Sequence, residues 1–172
     1  ALDVLNRRGA RGVRVNLETE GLRDIAAAGN ALEEIATRVK PWGWHVQIYA
    51  GINVIAGLAD RIRRLAVPLV VDHFGQADAA QGPRSASFGA LLALVSDGVA
   101  WVKLSAPQRV SRIADCADVE ALVASLVAVN EDRLLWGTDW PHPGGARRDP
   151  SVVEAFNVVD DARALSRLAQ WI

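Results

Sequence analysis

Apolar positions along this chain switch between two periods. Five short runs, over residues 12–17, 45–50, 69–74, 101–106 and 134–139, are rich in Val, Ile, Leu and Trp and bounded by Gly, Pro or polar residues. Runs of that length and flanking read as buried parallel strands. Between them, apolar residues recur at three- and four-residue steps, which predicts helices over 22–40, 53–65, 87–96 and 117–129, with two more segments after Pro150 and Asp160. In the second of these, Ile55, Leu58, Ile62 and Leu65 fall on one stripe. Pro41 and Pro68 stand just before the second and third strands, where proline ends a helix. The strand starts lie 33, 24, 32 and 33 residues apart, about the length of one strand–helix unit.

Strict strand–helix alternation implies a parallel sheet with helices packed against it. Two architectures satisfy that pattern, a doubly wound open sheet and a (β/α)8 TIM barrel. The chain has 172 residues, enough for the first, whereas a barrel needs about 250 and eight strands. Neither a dinucleotide fingerprint nor a phosphate-binding loop is present. With 19 Lys+Arg against 20 Asp+Glu, the net charge of -1 argues against a nucleic-acid or membrane-surface binder. No apolar run approaches the roughly 20 residues of a membrane span. The single cysteine, Cys116, excludes an intrachain disulfide and is compatible with a cytoplasmic setting. The chain contains no methionine, so Ala1 is not an ordinary translation start and further sequence is expected upstream.

The polar residues favour the barrel, because they gather at the carboxyl ends of the strands, where barrels keep their chemistry. By alternation, His73 shares a face with Val71 and Leu69, Asp139 with Gly137 and Leu135, and Lys103 with Ser105. Gln47 pairs with Tyr49 and Arg14 with Asn16 in the same way. Burying ionisable groups costs several kcal/mol unless they are paired, ligated or facing a wet pocket. Five strands ending this way predict one shared polar pocket.

The segment Leu135-Trp136-Gly137-Thr138-Asp139-Trp140-Pro141-His142-Pro143 resembles the last barrel strand of the amidohydrolase superfamily, in its branch of 2-pyrone-4,6-dicarboxylate and sugar-acid lactonases. Three stretches resemble the same branch in the same order: Gly12-Val13-Arg14-Val15-Asn16, Val70-Val71-Asp72-His73-Phe74-Gly75, and Val102-Lys103-Leu104-Ser105-Ala106-Pro107-Gln108-Arg109. The resemblance implies an incomplete barrel in one partial domain over residues 1–172, with these strands as the fourth to eighth and the first three missing. It implies that Asp139 activates water as general base and that His73 polarises the scissile carbonyl. Arg14 and Arg109 would hold substrate carboxylates, with Tyr49 and Lys103 lining the site. In metal-bearing members of the branch His73 and Asp139 would also be ligands, of zinc or manganese; other members work without metal. The branch opens with a His-x-His pair that this chain lacks, which leaves His73, Asp139 and at most His45 as donors. The implied reaction is lactone hydrolysis on a small carboxylated substrate. A metal-dependent decarboxylation or amide hydrolysis is the alternative within the superfamily, and a non-catalytic fragment the alternative outside it. Two unpaired sheet edges would invite a second chain, so a homo-oligomer is a further expectation.

Each residue also has a plainer reading. His73 could be a satisfied core histidine, and Asp139 a turn cap. Arg14, inside a buried strand, needs an anion, which a structural carboxylate could supply as well as a substrate. Arg109 could be a solvated loop residue, and Lys103 could point outward between helices. His45, at the amino end of its strand, is expected to be structural, His142 to shape its loop, and Cys116 to be inert. Arg61-Arg63-Arg64 and Arg147-Arg148 read as solvated surface, and Trp44, Trp136 and Trp140 as possible walls of the pocket.

Overall fold

In the computed structural model, which describes residues 1–19, 21–142 and 155–171, the five strands form one parallel sheet. They are β1 (Gly12–Asn16), β2 (His45–Tyr49), β3 (Leu69–Val71), β4 (Ala100–Leu104) and β5 (Leu134–Trp136). Their order in space is their order in sequence. A doubly wound sheet reverses its strand order at a switch point, and no reversal occurs among these strands. The helices are α1 (Leu2–Arg7), α2 (Ile25–Val39), α3 (Ile52–Gly57), α4 (Ala59–Arg63), α5 (Ala86–Ser96), α6 (Glu120–Asn130) and α7 (Asp161–Trp171). Residues 151–154 of the segment after Pro150, Arg147-Arg148 and Pro143 lie outside the described residues, and residues 155–160 of that segment are not helical.

The two faces of the sheet differ sharply. One carries Val46, Ile48, Leu69, Val71, Ala100 and Val102, all fully buried, packed with Leu32 of α2, Ile55 of α3, Leu91 of α5 and Leu126 of α6. Each aliphatic side chain removed from water this way contributes about 1.5–3 kcal/mol. The other face carries the opposite parity. Arg14 lies beside Gln47, Gln47 beside Val70, Val70 beside Trp101, and Lys103 beside Leu135. Strand pairing therefore sets the polar side chains of separate strands in rows.

Local chemistry explains where the helices start and break. Asp24 caps α2 by accepting the Ala27 N–H at 2.7 Å, and Ser85 caps α5 toward Phe88. The helix expected over 53–65 divides into α3 and α4 at Leu58. Gly57 ends α3 where α2 comes close, since a Cβ there would meet Ile25 Cδ1 at 2.8 Å. The short α1 is not foreseen by the pattern: it buries no residue, and Asn6 ties it down by accepting from Trp44 Nε1 at 2.9 Å. Arg61 is not solvated surface. It donates through Nε and Nη2 to both oxygens of Glu33 at 2.6 Å and through Nη2 to Asn30, joining α4 to α2. Trp44 is buried on the helix side beside Trp42 and does not wall the polar face.

Candidate functional site

The site begins where β3 stops early. After Val71, Asp72 remains extended, and then His73, Phe74, Gly75 and Gln76 all take left-handed backbone, with φ of 46, 55, 64 and 52°. Left-handed backbone is unfavourable for residues other than glycine and collects where a site needs it. Its effect here is to break the alternation. Asp72 keeps the parity of Val70 and faces the polar side. His73, which alternation places with Val71 against the helices, instead reaches the polar side, and Phe74 enters the core fully buried. Ala106 after β4 and Asp139 after β5 are also left-handed, with φ of 51 and 65°.

The polar groups form two tiers. In the lower one the buried Asp72 carboxylate accepts from Arg14 Nε and from Gln47 Nε2, both at 2.7 Å, on Oδ2. Lys103 Nζ faces Asp72 Oδ1 at 3.2 Å and donates to Gln47 Oε1 at 2.7 Å. This cluster joins β1, β2, β4 and the end of β3. In the upper tier, His73 Nε2 lies 3.5 Å from Asp139 Oδ1, and His73 Nδ1 lies 2.8 Å from Ser105 Oγ. Arg109 presents both Nε and Nη2 to Asp139 Oδ2 at 3.1 Å. Tyr49 stands edge-on to the His73 ring at 5.5 Å between centroids, and the Arg14 guanidinium lies 4.7 Å from the Tyr49 ring centre, linking the tiers.

Burial and charge pull these groups in different directions. For Asp72, burial alone would raise the carboxyl, but the hydrogen bond from Arg14, the charges of Lys103 and His73 and the Gln47 amide outweigh it, so it titrates below its ordinary value. Burial lowers the His73 imidazole below its usual value, against the attraction of Asp139 and Asp72 and with the repulsion of Arg109 and Arg14. Burial also raises the Tyr49 phenol, partly offset by Arg109.

The structure therefore brings Arg14, Tyr49, His73, Lys103, Arg109 and Asp139 together. Arg14 finds a structural carboxylate, Asp72, yet its side chain stays 40 % exposed. Lys103 points into the polar face and not outward. One participant was given no place in the pocket by the sequence reading, Asp72, although it has the inward parity of Val70; Ser105 was placed there as the face-mate of Lys103. The signal for Asp72 was present in that parity. His45 lies at the amino end, its ring against Gly12, and lines a cavity of about 540 Å³ with Gln47, Val70, Trp101, Lys103 and Leu135. His142 is buried 3.2 Å from Asp161, and Cys116 is buried too. Among the described residues, no group of three or more His, Cys, Asp or Glu is placed to hold a metal. His73 and Asp139 alone do not complete a centre. Among the described residues, no helix is long and apolar enough to cross a membrane.

Comparison with known proteins follows the same lines. A family model described as amidohydrolase matches residues 1–169. The 4-sulfomuconolactone hydrolase of Hydrogenophaga intermedia is 33% identical over 167 residues, which cover 93% of this chain and 54% of that protein. The 2-pyrone-4,6-dicarboxylate hydrolase of Comamonas testosteroni is 36% identical over 152 residues, 83% of this chain and 49% of that one. A Pseudomonas putida crystal structure, described as a 2-pyrone-4,6-dicarboxylic acid hydrolase, superposes with a TM-score of 0.75 at 29% identity, covering 99% of this chain and 59% of that one. The chain thus spans about half the length of the curated relatives it matches.

Proposed function

Because the chain belongs to the amidohydrolase family, we propose that the whole protein is a cytoplasmic lactonase that opens a small carboxylated lactone by hydrolysis. The observation that carries this reading is the pairing of His73 with Asp139 at 3.5 Å, between Arg109 and the Tyr49–Arg14 stack. Residues 1–172 are then one partial barrel domain holding the fourth to eighth strands. The cavity of about 540 Å³ on the polar face supports this, since barrels fill that space with side chains from opposite strands.

Opening the ring needs an activated water, a stabilised oxyanion and an anchor for the acid groups. Asp139 takes a proton from water as the water oxygen attacks the lactone carbonyl carbon. His73 Nε2–H donates to the carbonyl oxygen as it becomes negative. When the tetrahedral intermediate collapses, the ring C–O bond breaks and the proton held on Asp139 passes to the leaving oxygen. One lactone and one water thus give one hydroxy acid. Arg14 meets a substrate carboxylate with its planar fork, and Tyr49 and Lys103 line the same mouth. Names of the relatives support lactones bearing acid groups, a dicarboxylate and a sulfonated muconolactone.

The test is Asp139→Asn in the full-length protein, assayed on 2-pyrone-4,6-dicarboxylate. Turnover should fall at least about a hundredfold, the scale of a lost general base, with an unchanged circular dichroism spectrum. Unaltered kinetics would reject the assignment.

A further inference from the structure

The two ring nitrogens of His73 face groups of different hydrogen-bonding capacity. Nε2 looks toward Asp139 Oδ1 at 3.5 Å, and the other oxygen of that carboxylate is engaged by Arg109. A carboxylate oxygen accepts, so the tautomer that suits a nitrogen turned toward it is the one with the hydrogen on Nε2. In a neutral imidazole Nδ1 is then an acceptor. Its neighbour at 2.8 Å is Ser105 Oγ, a hydroxyl whose hydrogen rotates to suit. Ser105 follows β4 with the inward parity of Lys103, and the left-handed Ala106 turns the chain away directly after it. Only 3% of Ser105 is exposed, so it reaches the site through His73 and not by touching substrate. The Nε2–Oδ1 separation exceeds a hydrogen bond, which leaves the Nε2 hydrogen available to an oxygen entering between the two groups.

We propose that Ser105 is a positioning residue: its hydroxyl donates to His73 Nδ1 and holds the imidazole as the Nε2–H tautomer, directing that hydrogen at the lactone carbonyl. The proposal rests on the lactonase reading above and adds what fixes its electrophile. A histidine's tautomer is set by the partner of its other nitrogen. Without the hydroxyl, the Nδ1–H tautomer becomes accessible and presents a lone pair to both the carboxylate and the carbonyl.

The experiment uses full-length protein with 15N-labelled histidine, the His73 signals being identified by their loss in His73→Gln. Wild-type protein should show a protonated Nε2 and an unprotonated Nδ1 at neutral pH. Ser105→Ala should give a mixture of tautomers, and Ser105→Thr, which keeps the hydroxyl, should restore the single form. On 2-pyrone-4,6-dicarboxylate, Ser105→Ala should lower kcat roughly tenfold to a hundredfold, the scale seen when a histidine loses its orienting partner, with KM changed by less than about twofold. A protonated Nδ1 in the wild type, a tautomer ratio unmoved in Ser105→Ala, or a lactone-derived adduct on Ser105 would each overturn the proposal. The two readings separate cleanly. Wild-type protein inert toward the lactone, with the tautomer shift intact, sinks the assigned reaction and supports the role of Ser105. An active enzyme whose tautomer ignores Ser105 sinks only the latter.

Discussion

Substituting Asp72 by Asn tests whether the lower tier holds the strands together. The side chain is 1% exposed, and each group around it, Arg14 Nε, Gln47 Nε2 and Lys103 Nζ, is a donor. Asparagine keeps the shape but turns an NH2 toward those donors and removes the charge. Two charge-assisted hydrogen bonds are lost or weakened, each worth about 1.5–3 kcal/mol, along with one ion pair. Removing one partner of a fully buried pair costs about 3–5 kcal/mol. Arg14 and Lys103 are 40% and 30% exposed, however, so both can regain water. The expected loss is therefore about 2–4 kcal/mol at neutral pH, between the hydrogen-bond and buried-pair limits, read by urea unfolding of the full-length protein. The pH dependence fixes the sign. Because the folded-state pKa of Asp72 is depressed, the charge contributes its stability above the unfolded carboxyl value of about 4 and loses it as pH falls through the lower folded value. The gap between wild type and Asp72→Asn should be full at neutral pH and close below about pH 4. A gap under about 0.5 kcal/mol at neutral pH, the scatter of surface substitutions, or one that widens on acidification, would refute the reasoning. So would a stabilised variant, which would mean that burial outweighs the partners.

Two further outcomes follow from the upper tier. Arg109→Lys replaces a planar group that reaches Asp139 Oδ2 through two nitrogens with a single point charge, and should lower kcat/KM for the lactone about tenfold or more by loosening Asp139; steady-state kinetics unchanged within error would contradict this. If Nε2 of His73 carries hydrogen, it is not a ligand, so dialysis of full-length protein against a chelator should leave turnover unchanged. Loss of activity restored by zinc or manganese would contradict this expectation.

Periodicity and composition by themselves determined the framework. The five strands start within one residue of the expected positions because burial on both faces, or on one face and a pocket, writes a pattern that survives without tertiary information. Alternation also assigned Arg14, Gln47 and Lys103 to one face, as their register shows, and the Trp-Gly-Thr-Asp-Trp-Pro-His-Pro segment pointed to the family that the comparisons show. How His73 comes to lie on the polar face was beyond that reach. Its place depends on φ of 46°, a backbone choice that no hydrophobic pattern records and that the surrounding packing imposes, with Phe74 driven into the core next door. Asp72 was equally ambiguous in the sequence, a carboxylate beside a histidine. Only the pairing of four strand ends made it the acceptor for Arg14 and Gln47 and the ion-pair partner of Lys103. Side-chain type and spacing are local quantities, whereas the partner of a buried charge is fixed by which strands become neighbours and by how each chain turns on leaving the sheet.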